Sequence, residues 1–511
     1  MTMPPQPPPD PAMANPADVG VSPSVWRYVP ARRAAVVIDA AAYFAVIQQA
    51  MLQARQRIML VGWDFDTRVQ LSGGRRWYHL PHRARYPARL GGFVVWLVRR
   101  RRSLGVHVLR WNFGALNFLL RGSMILDLIR WAWNRRIWYR LDSAHPLGCS
   151  HHQKLVVIDD RLAACGGIDM TGNRWDTPAH VEADPRRSET GGEPGEPWHD
   201  LALVVEGEAA AALGDLARDR WARAVGRPLP PCAPQPHTPW PQSLVAEFAD
   251  VEIGIARTRA AWGDAPEIRE VEALFVDHIA RARRFIYAET QYFASSRIAE
   301  ALAARLMGQN PPEVVLVVAH HSHGWLQQTA MDNARVRLLH ALKPCDPHGR
   351  LRVYTPQAAR GSPIYVHSKL MIVDDEVLRI GSANMNNRSM GLDSECDLFL
   401  DSQRPGNGHI IPAIRGLRHR LLAEHCGQSE AAVASCLGEC GQMASYIDSL
   451  PAQGRRLVPF SLRPLTNREK ALADSALLDP DRPEEILEPI RRRQGLFRRK
   501  GILRAPDEGE N

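Results

Sequence analysis

Lysine is scarce in this chain of 511 residues. Five lysines, at 154, 343, 369, 470 and 500, stand among 64 basic residues, and arginine supplies the rest. Long apolar runs are missing too. A membrane-spanning helix needs about 18 or more uninterrupted apolar residues, and "LGGFVVWLV" (90–98) and "WNFGALNFLL" (111–120) reach only about half of that. The opening "MTMPPQPPPDPAMANPADVG" has neither a basic n-region nor an apolar h-region, so no cleavable secretion signal is visible. The eight cysteines form no paired CxxC framework, which argues against a disulfide-stapled scaffold or a zinc ribbon. Cys149 lies near His151 and His152, but three such residues do not complete a zinc set. Cys436 and Cys440, one helical turn apart, read as packing residues. Reduced thiols and the missing leader point to a cytoplasmic or peripheral-membrane protein; secretion without a cleavable signal is the alternative.

What is present belongs to a soluble globular protein: 45% apolar and 23% charged residues. The length suggests two large units or one fused pair. A net charge of +9 favours a polyanionic partner, either nucleic acid or an anionic membrane surface.

The chain also repeats itself. "HQKLVVIDDRLAACGG" (152–167) aligns without a gap with "HSKLMIVDDEVLRIGS" (367–382). Similar elements surround each copy in the same order. "RIMLVGWDFD" (57–66) and "GVHVLRW" (105–111) precede the first, "RFIYAETQYF" (284–293) and "EVVLVVAH" (313–320) the second. A strand and a helix follow each: "DLALVVEG" with "AAAALGDLARDRWARAVG", and "DLFLDS" with "IPAIRGLRHRLLAEHCG". Short apolar runs alternating with helical patterns predict an α/β fold of two homologous halves, each a β-sheet flanked by helices. The expected organisation is a disordered Pro-rich N-terminus (1–30), half 1 (31–230), a linker (231–264), half 2 (265–430) and a helical, charged tail (431–511). The Gly/Pro/Glu-rich segment 176–197 is expected to cross the surface near the site.

In a strand, residues i and i+2 face the same way. His152 therefore projects with Lys154, and His367 with Lys369, each pair anchored by the apolar run behind it. Two of the five lysines fall at equivalent places of the repeat, where a compact ammonium can approach a phosphate oxygen that a planar guanidinium would meet differently. Two His and two Lys fit phosphoryl transfer through a covalent intermediate. One neutral imidazole attacks phosphorus, the other protonates the leaving oxygen, and the lysines neutralise the non-bridging oxygens. Such chemistry requires no metal ion, and the sequence offers no evident carboxylate cluster for one. Asp159 and Asp374, in the turn after each strand, suit a positioning role and complete the catalytic set His152, Lys154, Asp159, His367, Lys369 and Asp374.

These residues resemble the signature of the phospholipase D superfamily, His-x-Lys-x4-Asp-x6-Gly-Gly/Ser, in two full copies. The likeness extends to "GGIDMTGNRWDTPAH" (166–180), "PWHDLALVVEG" (197–207), "FIYAETQYF" (285–293) and "IGSANMNNRSMGLDSECDL" (380–398), and covers roughly residues 31 to 430. It implies two halves packed as a pseudo-twofold around one active site, and a phosphatidyl–histidine intermediate. It also implies supporting roles for Gly167, Ser382, Asn384, Glu395 and Asp200. Asn384 would contact the phosphate, although Asp169 holds the matching place in the first copy. Glu395 and Asp200 would orient the imidazoles, although aligning the downstream strands leaves them two positions out of step. The motif's near symmetry leaves open which histidine attacks.

The implied activity is hydrolysis of glycerophospholipids to phosphatidate and a head-group alcohol at a membrane surface, with water or an alcohol as acceptor. No cofactor and no nucleic-acid partner are expected, and a monomer is. A phosphatidyl transferase of the cardiolipin synthase type is the first alternative, a nuclease the second. Residues 85–106 are expected to form a core helix. For 118–140, rich in Leu, Ile, Trp and Arg, core packing is expected, with insertion into a lipid surface as the alternative.

Overall fold

In a computed structural model of the chain, residues 24–74, 86–112, 123–187, 195–321, 325–462 and 464 are described. Most of the N-terminal segment read as disordered, and the charged end of the tail, lie outside the described residues.

The first half contributes β1 (Arg27–Ile38), α1 (Ala40–Gln53), β2 (Arg57–Gly62), α2 (Leu90–Arg100), β3 (Gly105–Trp111), α3 (Met124–Ala132), β4 (Ile137–Asp142), β5 (Leu155–Ile158), β6 (Leu162–Gly166), β7 (Trp198–His199), β8 (Leu201–Glu206) and α4 (Glu208–Val225). The second contributes β9 (Phe248–Arg259), β10 (Ile268–Arg269), α5 (Glu270–Arg281), β11 (Phe285–Thr290), α6 (Ser296–Leu306), β12 (Glu313–Val318), α7 (Trp325–Leu342), β13 (Leu351–Gln357), β14 (Tyr365–Val366), β15 (Leu370–Val373), β16 (Val377–Gly381), α8 (Asn387–Gly391), β17 (Glu395–Asp401) and α9 (Ile411–Cys426). Then follow α10 (Glu430–Cys440), α11 (Met443–Ser449) and β18 (Arg456–Pro459).

The two halves share one sheet. From the antiparallel β1·β9 pair, the order runs β8-β6-β5-β2-β3-β4 one way and β17-β16-β15-β11-β12-β13 the other, with β18 added outside β13. The duplication read in the sequence is thus a mirrored strand order about one seam. Helices α4, α9, α10 and α11 cover one face across both halves, while α1 and α2 pack under the first half and α5, α6 and α7 under the second. Strands β5 and β15 are buried along their whole length, which explains their unbroken apolar sequences "LVVI" and "LMIV". Each such side chain contributes roughly 1.5–3 kcal/mol of burial.

Three expectations change. The stretch assigned to a linker contains β9, whose Val251, Ile253 and Ile255 are buried at the period of two that a strand requires. The start of the tail joins the sheet, since β18 pairs antiparallel with β13. Cys436 is exposed, against the packing role expected of it. By contrast, α2 is the core helix expected, with Leu90, Phe93, Val94, Leu97 and Val98 buried. Helix α3 buries Met124 and Trp131 but leaves Leu126 (64%), Ile129 (46%) and neighbouring Trp133 (85%) exposed, so core packing accounts for only one of its faces. Among the described residues no helix is long and apolar enough to cross a membrane.

Candidate active site

Each His-x-Lys pair stands at the N-terminal end of a doubly buried strand, β5 or β15. The sheet brings the two ends together. His152 Nδ1 lies 3.0 Å from both carboxylate oxygens of Glu395, on β17 of the other half. His367 Nδ1 lies 2.7 Å from Asp200 Oδ2, between β7 and β8 of the first half. The main chain crosses in the same sense: His152 N donates to Ser394 O (3.0 Å), and His367 N to His199 O (2.8 Å). Every imidazole is therefore oriented by the half that did not supply it.

The two-position offset between Asp200 and Glu395 disappears in the sheet. Gly166 faces Ala202 across β6·β8, and Gly381 faces Asp397 across β16·β17. Asp397 thus corresponds to Ala202, and Glu395 to Asp200. Aligning "DLALVVEG" with "DLFLDS" pairs the wrong acids, because Asp397 is the buried partner of Arg379.

Supporting residues fix these carboxyls. Ser382 Oγ donates to Glu395 Oε2 (2.5 Å) and Ser389 Oγ to Oε1 (2.7 Å). Gly167, at the place equivalent to Ser382, contributes by having no side chain. A Cβ there would sit 2.0 Å from Asp200 Oδ1 and 2.8 Å from His367 O. Only glycine lets the Asp200–His367 pair close.

Lys154 Nζ donates to His152 O (3.1 Å) and lies 3.3 Å from Asp169 Oδ2. Asp169 also accepts from Trp63 N (3.0 Å) through Oδ1, so it is held on the first lysine. Its counterpart Asn384 is buried and leaves Oδ1 without a partner, while its main-chain N donates to Ser389 Oγ (3.1 Å). Lys369 Nζ donates to His367 O. Burial, aided by the charge of Lys154, lowers the Lys369 ammonium to about 7, with Asp200 acting the other way.

Burial also dominates the dyads. It raises the Glu395 carboxyl to about 8, against Ser382 and Lys154, and the Asp200 carboxyl to about 7, against Lys369. Both imidazoles are held well below their ordinary value, by burial first and then by the lysines of both halves. Two neutral imidazoles, each beside a carboxyl that holds its proton near neutral pH, can exchange that proton as charge enters the site.

Asp159 and Asp374, placed with the catalytic set on sequence, do not reach it. They close the far end of each strand, up to roughly 23 Å along the chain from the histidines. Asp159 accepts from the N–H groups of Arg55, Gln56 and Arg57, all at 2.7 Å. Asp374 accepts from those of Arg283, Arg284 and Phe285, all at 2.8 Å. Both adopt a left-handed backbone, with φ of 54° and 57°. Each clamps the turn that enters β2 or β11. Their neighbours Asp160 and Asp375 bind Arg218 of α4 and Arg418 of α9, repeating the symmetry.

Sequence reasoning passed over Arg174, Trp198 and Tyr365. Trp198 stacks on Tyr365 at 4.6 Å and lies 5.1 Å from the His367 ring, with the Arg174 guanidinium 4.2 Å from the centre of the Trp198 ring. All three occur outside the aligned repeat, so self-comparison gave no signal for them. A cavity of about 1360 Å³ is lined by Arg68, Trp96, Arg99, Arg130 and Trp175 and by neither His-x-Lys pair. Chemistry, and not size, locates the site.

Residues 340–444, which include the second motif, match the family model "Phospholipase D". Phospholipase D1 of Schizosaccharomyces pombe is 23% identical over 496 residues, covering 76% of this chain and 35% of that protein. Phospholipase D alpha 2 of Arabidopsis thaliana is 26% identical over 406 residues, covering 54% of this chain and 49% of that protein. The chain thus spans about half or less of the length of these relatives. In fold it is similar to the phosphatidylserine synthase of Haemophilus influenzae Rd KW20, with a TM-score of 0.51 at 12% identity, covering 82% of this chain and 95% of that one. With two copies of the motif folded onto a single sheet, a family match over residues 340–444 and these relatives, the chain is similar to phospholipase D-family proteins.

Proposed function

We propose that the protein is a phospholipase D-type phosphodiesterase that hydrolyses glycerophospholipids to phosphatidate and a head-group alcohol. The observation that carries this reading is the crossed pair of dyads, His152–Glu395 and His367–Asp200, flanked by Lys154 and Lys369. In the dyad that has lost its proton, Nδ1–H donates to the ionised carboxylate and the Nε2 lone pair is free to attack phosphorus. The N–P bond forms as the bond to the head-group oxygen breaks, and the second imidazole, carrying its dyad's proton, protonates that oxygen. Water then gives its proton to the second imidazole, attacks phosphorus and breaks the N–P bond. Lys154, Lys369 and Asn384 hold the non-bridging oxygens throughout. When an alcohol replaces water the product is a new phosphodiester. That transfer reading is compatible with the fold shared with a phosphatidylserine synthase.

A lipid substrate is supported by the relatives' names and by the apolar residues left exposed along α3. The assay is release of phosphatidate from phosphatidylcholine vesicles, run beside phosphatidylglycerol condensation and plasmid nicking. We expect phosphatidate as the main product; condensation or nicking in its place would assign the transferase or nuclease reading. His152→Ala and His367→Ala are each expected to lower turnover by at least roughly 10³-fold while circular dichroism stays unchanged. Turnover surviving in either variant overturns the two-histidine route.

A further inference from the structure

Behind the second His-x-Lys pair the fold gathers a set of ligand-type side chains that the proposed reaction does not use. Asp39 precedes α1, His180 lies in the loop after β6, His199 is on β7 and Glu424 is near the end of α9; all four are buried. One donor atom from each falls within 4.8 Å of all the others. Glu424 Oε1 is 3.1 Å from His180 Nε2 and 2.6 Å from His199 Nδ1. Asp39 places Oδ1 3.4 Å from His199 Nδ1 and Oδ2 3.8 Å from His180 Nε2. Four donors bound tetrahedrally at about 2.0–2.2 Å stand about 3.3–3.6 Å apart, in the middle of this spread. Asp39 Oδ2 is buried without a hydrogen-bond partner, and His199 Nδ1 meets only the carboxylate oxygens of Asp39 and Glu424.

The outward nitrogens are already committed. His180 Nδ1 is 3.1 Å from Asp176 Oδ2, whose other oxygen accepts from Arg187 (3.0 Å). His199 Nε2 is 2.8 Å from Glu289 Oε2. A carboxylate on the far nitrogen of each ring is the usual way a ligating imidazole is oriented, and it turns the remaining lone pairs toward Asp39 and Glu424. The duplication does not explain this cluster. By sheet register Val61 stands where Glu289 does, and Ser394 where His199 does.

We infer that Asp39, His180, His199 and Glu424 form a closed divalent-metal site of the zinc class. Two imidazole nitrogens with two carboxylate oxygens suit Zn(II), whereas Ca(II) and Mg(II) take six or more oxygens. Four protein ligands in a buried setting leave no place for substrate, so the ion is structural. It ties the start of α1, the loop holding His180, β7 and α9 into one knot. The knot supports the second pair directly, since His199 O accepts from His367 N and Ser368 Oγ donates to Glu289 Oε2 (2.7 Å). The sequence showed no carboxylate cluster because its members are scattered from residue 39 to residue 424.

The untagged full chain, stripped of metal and reloaded with Co(II) alone, tests the inference without any turnover measurement, so its result is separate from that of the phosphodiesterase assay. We expect about one Co(II) per chain with the strong visible absorption of four-coordinate cobalt. Zn(II) should displace it and shift Tm of the stripped protein upward. Glu424→Gln and His180→Gln should each lose the band. If the wild-type chain retains no ion, or gives only a weak six-coordinate spectrum, the site is overturned, and protons on the imidazoles then balance the carboxylates. A band that survives in folded Glu424→Gln places the ion elsewhere and overturns it equally.

Discussion

Lys369 sits where burial and Lys154 both oppose its charge, and its ammonium is lowered to about 7. A lysine so placed is charged below that pH and neutral above it, so the free site loses attraction for a phosphodiester as pH rises. We expect log kcat/KM to fall above about pH 7, with a slope near −1 from this single proton. Lys369→Arg should abolish the limb, because a guanidinium stays charged, while lowering the plateau through its different shape. A limb unchanged in that variant would move the titration to the dyad carboxyls. At the opposite ends of the same strands the outcome is mechanical. Asp159→Ala or Asp374→Ala strands three N–H groups and strains a left-handed residue. Each is expected to cost roughly 2–4 kcal/mol of stability in denaturant melts, with KM of the folded enzyme unchanged. The repeat made His152, Lys154, His367 and Lys369 legible as residues. It could not say that the motif's aspartates turn away from them, since that follows from where each strand ends.

Elements were legible in proportion to their periodicity. The unbroken runs of β5 and β15 and the apolar face of α2 announced themselves. β9 carried an alternating signal, Val251, Ile253, Ile255, but proline-rich sequence just before it drew the whole stretch into a linker. Helix α3 shows the opposite case. Its Leu, Ile and Trp content suits a core, yet only Met124, Trp131 and the partly buried Leu128 turn inward. Leu126, Ile129 and Trp133 remain in solvent with Arg130 beside them, a pattern that suits the interface of an anionic bilayer. Leu126→Ser with Trp133→Ser should weaken sedimentation with anionic vesicles several-fold and leave hydrolysis of a short-chain monomeric substrate unaltered. Equal loss on both substrates would count against an interfacial role.

For the molecule as a whole, the net charge of +9 adds long-range attraction for anionic surfaces to whatever α3 contributes. Raising ionic strength from about 0.01 to 0.15 M shrinks the screening length from roughly 30 to 8 Å, so turnover on anionic vesicles should drop while that on a neutral monomeric ester holds. Flat salt dependence on vesicles would remove this steering. The sequence by itself determined the duplication, the α/β character and the residue types of the chemistry, because those are written in local spacing and in the choice of lysine against an arginine background. Tertiary structure alone decided the pairings. Glu395 faces His152, Asp200 faces His367 and Gly167 makes the room, since strand register across a shared seam, and not distance along the chain, sets which side chains meet. The same crossing of distant segments assembles Asp39, His180, His199 and Glu424, which no stretch of sequence holds together.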